Sequence, residues 1–279
     1  MLTRIITGAV GITMAAFIIQ TGGMIFGVSV LLLMCIGWHE YAKAFAVFGK
    51  PLSYYSGMAI MVLLWGAAYK HLSALFVFVA LAGVLWVMIQ SVIKHDTFSV
   101  EQSCASATGI IYVGFTFVHL MLLRFWGQGN TIETQFGTIE EGCAWIWVAL
   151  IGTWASDTFA YFTGCSFGKR KLCEAISPKK TIEGFLGGVV GTVLSVAAVG
   201  YFFSLPLIPM AFLGFIIAIV ATMGDLVESA VKRYTGIKDS GNIIPGHGGV
   251  LDRFDSVMFS VPFVYYVVRL LDYFNILTR

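Results

Sequence analysis

Long apolar stretches recur along this 279-residue chain, and the first runs without a charged residue from Ile5 to Trp38. A helix needs about 20 mainly apolar residues to cross a bilayer. Only 11% of residues are charged, against about a quarter in soluble domains. In lipid, only helices and closed barrels satisfy all backbone hydrogen bonds. Barrel strands alternate apolar and polar residues, whereas the apolar residues here are continuous. The sequence therefore predicts an all-α polytopic integral membrane protein.

About nine transmembrane helices fit these stretches. Their expected positions are residues 5–20, 23–38, 54–69, 72–93, 105–124, 142–165, 183–204, 207–229 and 255–271. Between the second and third, residues 39–50 place Glu40, Lys43 and Lys50 among aromatic and alanine residues. This pattern predicts a separate amphipathic helix lying in the membrane interface.

The basic residues predict the orientation, because short cytoplasmic loops carry an excess of lysine and arginine. Thirteen fall on one side of the nine-span topology: Arg4, Lys43, Lys50, Lys94, Lys169, Arg170, Lys171, Lys179, Lys180, Lys232, Arg233, Lys238 and Arg253. Four fall on the other: Lys70, Arg124, Arg269 and Arg279. The N-terminus is therefore predicted to be cytoplasmic and the C-terminus external. The polar loops 165–182 and 230–254 then face the cytoplasm, which predicts an active site on that side.

One helical face near the cytoplasmic end of the eighth span is rich in polar groups. Asp225, Glu228, Ser229 and Lys232 follow the i, i+3, i+4, i+7 spacing of such a face. Acidic residues in a membrane segment are costly and normally face a partner, a cavity or a metal. A salt bridge to Lys232 within the same helix is the structural alternative.

Two further carboxylates, Asp252 and Asp255, stand at the start of the ninth span. The dipole of a helix N-terminus favours carboxylates, so capping is an alternative for one of them. Together with Asp225 they would repel one another, and a hard cation such as Mg²⁺ relieves that repulsion. Clustered aspartates beside lysines thus indicate metal-assisted phosphoryl or nucleotidyl transfer.

A glycine-rich loop, residues 236–249, joins these two spans. Glycines let the backbone approach a ligand, and exposed N–H groups can form an anion-binding nest. A flexible linker is the alternative, but Lys238, Asp239 and His247 favour phosphate or substrate contact. His247 alone does not distinguish phosphate binding, metal binding and proton transfer.

A second polar element begins at Asp157 in the sixth span, where a charge needs a partner such as a basic residue of the next loop. Residues 177–181, SPKKT, then lead directly into the seventh span. Serine, lysine and a helix N-terminus suit phosphate binding. Four glycines at helical spacing follow and predict close helix packing: Gly184, Gly187, Gly188 and Gly191.

The segment SAVKRYTGIKDSGNIIPGHGGVLDRFD, residues 229–255, resembles the signature of the phosphatidate cytidylyltransferase family, also called CDP-diacylglycerol synthases. The positions in register are Ser229, Lys232, Arg233, Lys238, Asp239, Pro245, His247, Gly248, Gly249, Asp252, Arg253 and Asp255. Upstream, the similar positions are Asp157, Ala160, Tyr161, Gly164, Phe167, Gly168, Lys169, Ser177, Pro178, Lys179, Lys180, Thr181 and Gly184. The resemblance covers about residues 150–260. Phe159 and Ser156 depart from the small residue and the alanine usual there, but the charged signature positions are kept.

The resemblance implies that CTP and phosphatidate give CDP-diacylglycerol and pyrophosphate in a bacterial inner membrane. It implies a homodimer and Mg²⁺, with or without a second cation, K⁺ or Mg²⁺. The implied catalytic residues are Asp157, Asp225, Lys232, Asp252, Arg253 and Asp255, and the implied metal ligands are Asp225, Glu228, Asp252 and Asp255. The implied substrate-binding residues are Lys169, Ser177, Lys179, Lys180, Thr181, Ser229, Arg233, Lys238, Asp239, His247, Gly248 and Gly249.

Residues 1–140 are then expected to form membrane helices with a scaffold or dimer role, and residues 141–279 a catalytic membrane region. A secondary transporter is one alternative, since intramembrane acids and glycine-broken helices also build ion paths. Against it, the polar residues cluster on one face and no inverted repeat is evident. Another lipid-phosphate transferase or kinase is a second alternative, although the DGxxAR-type motif of CDP-alcohol phosphotransferases is absent. No basic tail or aromatic-basic repeat indicates a nucleic-acid partner.

Overall fold

The computed structural model describes residues 2–135, 137–244, 246 and 248–277. Over these residues the chain is mainly helical, as predicted. The α-helices, numbered in chain order, are α1 (Leu2–Thr21), α2 (Gly23–Val47), α3 (Tyr54–Tyr69), α4 (Ser73–Ile93), α5 (Val100–Gly109), α6 (Thr116–Arg124), α7 (Glu141–Phe167), α8 (Ile182–Phe202), α9 (Leu207–Thr235) and α10 (Leu251–Tyr273). A π-helical turn, Ile110–Phe115, joins α5 to α6.

Two short antiparallel hairpins interrupt the helices, and the sequence did not predict them. Strand β1 (Thr131–Thr134) pairs with β2 (Gly137–Glu140), and β3 (Lys171–Cys173) pairs with β4 (Ser177–Thr181). The strands have three to five residues, at or near the shortest window in which period-two alternation signals a strand.

Six helical segments are long and apolar enough to cross a membrane, among the residues whose structure is described. They are α2, α4, the run from α5 to α6, α8, α9 and α10. This confirms an all-α integral membrane protein. Helices α1, α3 and α7 overlap the other three predicted spans but are not among the six, so the count of nine stays a prediction.

The chain divides into two compact units. The first unit comprises residues 1–122 and 231–254, and the second comprises residues 123–230 and 255–279. Helices α9 and α10 each contribute residues to both units, because the boundaries fall inside them. The predicted division at residue 140 concerns function and stays a prediction.

The core of the first unit forms around Trp38 on α2, which is fully buried. Its indole Nε1 donates a hydrogen bond to the carbonyl of Tyr54, 2.9 Å away. Gly57 on α3 lies against the ring, since a Cβ there would be 2.0 Å from Trp38 Cζ2. Gly109 makes similar room for Tyr41, because a Cβ there would be 2.4 Å from Tyr41 Cε1. These glycines allow large aromatic side chains to fill the space between helices.

The predicted separate interfacial helix at 39–50 is wrong. Helix α2 continues without a break to Val47, and Glu40, Tyr41 and Phe45 are buried. The alanines and aromatic residues of this segment extend the apolar face of α2, so the helix has no reason to end at Trp38. Glu40 is buried because it has specific partners, which are described below.

In the second unit, the glycine stripe of α8 packs closely on α7, as predicted. A Cβ on Gly187 would be 2.2 Å from Thr163 Oγ1, and one on Gly191 would be 2.1 Å from the ring of Phe159. A Cβ added to Gly188 would be 3.1 Å from the Cβ of Ala160, so these two small residues are in close contact. The stripe brings α8 and the hairpin before it close to the polar residues of α7.

Candidate active site

The hairpin before α8 is where the predicted phosphate-binding segment lies. Residues 177–181 form strand β4, and its last residue, Thr181, is the N-cap of α8. The Thr181 hydroxyl accepts a hydrogen bond from the Gly184 amide, at 3.1 Å. Satisfying such an otherwise unpaired amide is the usual reason for threonine at this position. The predicted helix start is therefore confirmed.

Glu183, in the first turn of α8, holds the turn that enters this hairpin. Its Oε2 accepts hydrogen bonds from the amides of Lys169 and Arg170, at 2.9 and 3.1 Å. Its Oε1 pairs with Arg170 Nε at 3.2 Å. Glu183 thus fixes the backbone at Lys169 and Arg170. The Lys169 side chain itself is exposed.

The first acid–base cluster lies in the second unit and is called here the Asp225 cluster: Asp157, Lys180, Asp225, Ser229 and Ser256. Lys180 Nζ, at the end of β4, is 2.7 Å from Asp225 Oδ2 on α9. Ser229, one turn along α9, donates to Asp225 Oδ1 at 3.3 Å. Asp157 on α7 accepts a hydrogen bond from Ser256 and lies within electrostatic range of both Asp225 and Lys180. Helices α7, α9 and α10 and strand β4, all in one unit, therefore contribute residues to the surroundings of the Lys180–Asp225 ion pair.

Gly224 brings α10 close to this cluster. A Cβ on Gly224 would be 2.5 Å from the carbonyl oxygen of Asp255 and 3.1 Å from Phe259. Asp255 itself accepts a hydrogen bond from the Ser256 amide, at 2.7 Å. Asp225 and Asp255 are thus carried by helices in direct contact.

The second acid–base cluster lies in the first unit and is called here the Asp252 cluster: Lys232, Ser240, Gly249 and Asp252. Lys232 Nζ is 2.8 Å from Asp252 Oδ1. The other oxygen, Oδ2, accepts from the Ser240 amide, the Ser240 hydroxyl and the Gly249 amide, at 2.8, 2.8 and 2.9 Å. The Asp252 side chain is only 5% exposed. Lys232, on α9, therefore pairs with an acid in the first turn of α10.

The glycine-rich loop, residues 236–249, contacts this carboxylate through Ser240, Gly248 and Gly249. Gly248 has a φ of +89°, and a Cβ there would be 2.8 Å from Asp252 Oδ2. Ile244 and Gly248 form an isolated bridge that closes the loop. The amides of Ser240 and Gly249 bind this carboxylate of the protein, and contact of the loop with a phosphate or substrate stays a prediction.

A second buried carboxylate, Glu40 on α2, also binds this loop, a contact that the sequence analysis did not predict. Glu40 Oε1 accepts from the Val250 amide at 3.0 Å, and Oε2 accepts from the Leu251 amide at 2.9 Å. Ser240 Oγ lies 3.3 Å from Oε2. The one available signal was an acidic residue next to a long apolar helix, which needs a partner.

The remaining predicted site residues are placed as follows. Lys169, Lys179, Arg233, Lys238, Asp239 and Arg253 are exposed, Ser177 is half-buried and Glu228 is buried at 3% exposure. His247 lies outside the residues whose structure is described. Five cations of the predicted site therefore lie at the protein surface.

The predicted magnesium ligands are divided between the two units: Asp225, Glu228 and Asp255 belong to the second unit and Asp252 to the first. Within the described part of the chain, no three histidine, cysteine, aspartate or glutamate residues form a group that could hold an ion. Asp225 and Asp252 each have a lysine ammonium group in contact. Lys180 and Lys232 thus supply positive charge to these two carboxylates, and the Mg²⁺ site stays a prediction.

Comparison with known proteins relates the whole chain to one group of enzymes. Residues 2–271 match the family model described as the cytidylyltransferase family. A phosphatidate cytidylyltransferase of Bacillus subtilis is 32% identical over 281 residues, which is 96% of this chain and 97% of that protein. One from Synechocystis is 34% identical over 292 residues, 96% of each chain. One from Staphylococcus aureus is 38% identical over 178 residues, 63% of each chain. The similarity thus extends well beyond residues 150–260.

Proposed function

Because the chain belongs to the cytidylyltransferase family, we propose that it is a phosphatidate cytidylyltransferase, which makes CDP-diacylglycerol and pyrophosphate from CTP and phosphatidate. The observation that carries this proposal is the match to two enzymes of that name over 96% of the chain. The two acid–base clusters support it, because both contain residues at positions that resemble the family: Asp157, Lys180 and Ser229 in the Asp225 cluster, and Lys232, Gly249 and Asp252 in the Asp252 cluster. Membrane helices suit a lipid substrate, and exposed lysines and arginines suit a triphosphate.

The chemistry requires little activation of the nucleophile. A phosphate oxygen of phosphatidate attacks the α-phosphorus of CTP, the bond from that phosphorus to the β-phosphate bridging oxygen breaks, and pyrophosphate leaves with the electron pair. Positioning and charge stabilisation should therefore provide most of the catalysis. No covalent enzyme intermediate is needed.

The charged residues divide into two roles. Lys180 and Lys232, held by Asp225 and Asp252, are placed to exchange their carboxylate partners for substrate phosphate oxygens. The exposed cations, with Ser177, Thr181, Gly248 and Gly249, bind the triphosphate and the lipid phosphate; they are Lys169, Lys179, Arg233, Lys238 and Arg253. Asp157 orients Lys180. Mg²⁺, a second cation, and the ligand set Asp225, Glu228, Asp252 and Asp255 stay predictions of the family resemblance, as do substrate contacts by Ser229, Asp239 and His247.

The membrane topology is part of the proposal. Nine spans place the N-terminus in the cytoplasm and the C-terminus outside, in a bacterial inner membrane, with the active site open to cytosolic CTP. A fluorescent protein that matures only in the cytoplasm, fused to the C-terminus, should stay dark, and a bright fusion would contradict nine spans.

We also propose a homodimer, which chemical cross-linking in native membranes should capture as a species of twice the mass.

The decisive experiment is a substrate-exchange assay on the purified protein in detergent. Labelled CTP, phosphatidate and Mg²⁺ should yield a labelled nucleotide-lipid and pyrophosphate, and replacing CTP by UTP or phosphatidate by diacylglycerol should abolish product. Release of CDP with phosphorylation of a lipid alcohol would indicate a kinase instead. Solute uptake into liposomes without CTP turnover would indicate a transporter. No nucleotide-lipid from monodisperse protein would overturn the proposal.

A further inference from the structure

We propose that Glu40, in the N-terminal half of the chain, is a positioning residue for the reaction. It acts through the glycine-rich loop, residues 236–249, and through Val250 and the first turn of α10. The inference rests on the proposed function, because what is positioned are residues assigned to substrate binding and catalysis there. It gives the first half of the chain, which lies outside the signature resemblance at about residues 150–260, a direct part in building the site.

Glu40 contributes a negative charge where a charge is costly. Its residue is 2% exposed, on a helix long and apolar enough to span the membrane. A buried charge of this kind needs compensating polar partners. The partners are the amides of Val250 and Leu251, one on each carboxylate oxygen, at 3.0 and 2.9 Å. Hydrogen bonds to an ionised acceptor are about twice as strong as neutral ones.

These partners are the first amides of α10, which begins at Leu251. The first amides of a helix have no acceptor within it and carry the positive end of the helix dipole. Glu40 satisfies the amides of Val250 and Leu251, and the Ser240 hydroxyl accepts from the next amide, that of Asp252, at 3.3 Å. A residue about 200 positions away in sequence thus caps the helix whose first turn carries Asp252.

The loop is shaped to admit the Glu40 carboxylate. A Cβ on Gly241 would be 2.3 Å from Glu40 Oε1, and the three atoms nearest to it all belong to Glu40. A Cβ on Gly249 would be 2.5 Å from the same oxygen. Neither glycine has a positive φ, so what each one supplies is space. Two glycines of the loop therefore fit around one side chain of α2.

The position of this loop decides the position of the functional groups it carries. Lys238, Asp239, Gly248 and Gly249 lie within it, and Asp252 follows three positions after Gly249. A displacement of about 1 Å at a reacting group can cost about 100-fold in rate. Loss of Glu40 should therefore impair catalysis by protein that is still folded.

The principal test is Glu40→Gln in the full-length protein. The glutamine has one acceptor oxygen, so its NH₂ group faces one of the two amide donors. The rates are expressed per molecule of protein that elutes as folded material. We expect kcat/KM for CTP to fall roughly 10- to 100-fold and KM for CTP to rise. Hydrogen–deuterium exchange of the peptide containing Val250 and Leu251 should become faster. Normal kinetic constants and unchanged exchange would overturn the inference.

A matched control is Glu101→Gln, in the same unit. The Glu101 carboxylate accepts hydrogen bonds from Lys50 and from Tyr234, the latter at 2.6 Å, and its contact raises the pKa of Lys50. It touches neither the loop nor α10 through these bonds. The Glu101→Gln enzyme should keep kcat and KM within about threefold. A loss equal to that of Glu40→Gln would reduce Glu40 to a general stabilising role and contradict the proposal.

A double-mutant cycle provides the second, independent test. Gly241→Ala should impair activity strongly, because its methyl group meets Glu40. Adding it to Glu40→Ala should cost little more, because the colliding side chain is gone; such non-additivity identifies direct contact. Fully additive losses would overturn the inference. If Glu40→Gln does not fold, Glu40→Asp, which keeps the charge on a shorter side chain, should show the higher KM for CTP, and a normal KM would count against the proposal.

Failure of the proposed function would look different. Wild-type protein would then form no nucleotide-lipid, whereas loop exchange would still respond to Glu40→Gln. An active wild-type enzyme with an insensitive Glu40 would leave the function standing and remove only this inference.

Discussion

Asp225 and Asp252 form almost the same ion pair in very different surroundings. Each has a lysine ammonium group in contact, at 2.7 and 2.8 Å, but the Asp225 side chain is 30% exposed and that of Asp252 only 5%. The second oxygen of Asp225 has the Ser229 hydroxyl at 3.3 Å, whereas that of Asp252 accepts three hydrogens from donors within 2.9 Å. A half-exposed pair contributes little to stability, and a buried one is costly to break. Asp225 can therefore exchange partners during a reaction, while Asp252 also holds structure.

Asp252→Asn should have the largest effect, because it removes both roles at once. The NH₂ group of asparagine must face either Lys232 or the loop donors, so at least one buried donor loses its acceptor. We expect CTP-dependent product formation to fall by at least about 100-fold, and the melting temperature to drop clearly, since breaking such a pair costs about 3 kcal/mol. Thermal denaturation in detergent and the product assay measure the two effects. A variant with wild-type activity would refute the assignment of Asp252.

Asp225→Asn should lose activity without losing stability. The pair with Lys180 is partly solvated, so its removal should shift the melting temperature by no more than about 2 °C. Product formation should still fall about 100-fold, because Lys180 is no longer held in place. Lys180→Gln is the matched partner variant and should behave in the same way. If Asp225→Asn is destabilised as much as Asp252→Asn, the distinction between the two aspartates is wrong.

The features of this site that could be predicted from the sequence are those encoded within a few neighbouring residues. The start of α8 at Thr181 and the packing of Gly187, Gly188 and Gly191 were predictable, because capping and helical spacing are read within one or two turns. The burial of Glu40 was not predictable, since its partners Ser240 and Leu251 are 200 and 211 residues away. Periodicity contains no information on which distant backbone amides meet a side chain.

The interpretation of Asp252 illustrates a related limit. Clustered carboxylates were assigned to a metal because their repulsion requires a positive charge, and sequence alone does not show which cation supplies it. In the structure Lys232 and three loop donors surround Asp252. A Cβ on Gly248 would lie 2.8 Å from Asp252 Oδ2, so this glycine allows close approach to a carboxylate of the protein. Approach of the loop to a substrate phosphate stays a prediction, because the fold decides which anions meet the loop.

Ser240→Ala should have an intermediate effect, since it removes one hydrogen-bonding group from the buried cluster and keeps the backbone amide. The hydroxyl bonds Asp252 at 2.8 Å and lies 3.3 Å from Glu40. A net loss of about 1 kcal/mol is expected, with about fivefold lower activity and a melting temperature a few degrees lower. Ser91→Ala, at an exposed serine that bonds the Met88 carbonyl of its own helix, is the control. Equal behaviour of the two variants would show that Ser240 does not hold the loop.

Ser229→Ala should have the smallest effect. It tests whether a serine of the Asp225 cluster contributes to substrate binding and not to stability. Its hydrogen bond to Asp225 is at the long end of the usual range and partly solvated. We expect the melting temperature to stay unchanged, and KM for CTP to rise about threefold at constant kcat, which corresponds to about 0.6 kcal/mol. Measuring KM and kcat separately matters here, because a substrate-binding serine changes the first and a structural one changes neither. A lower melting temperature with an unchanged KM would mean that Ser229 supports the fold. The Asp225 cluster would then resemble the Asp252 cluster after all.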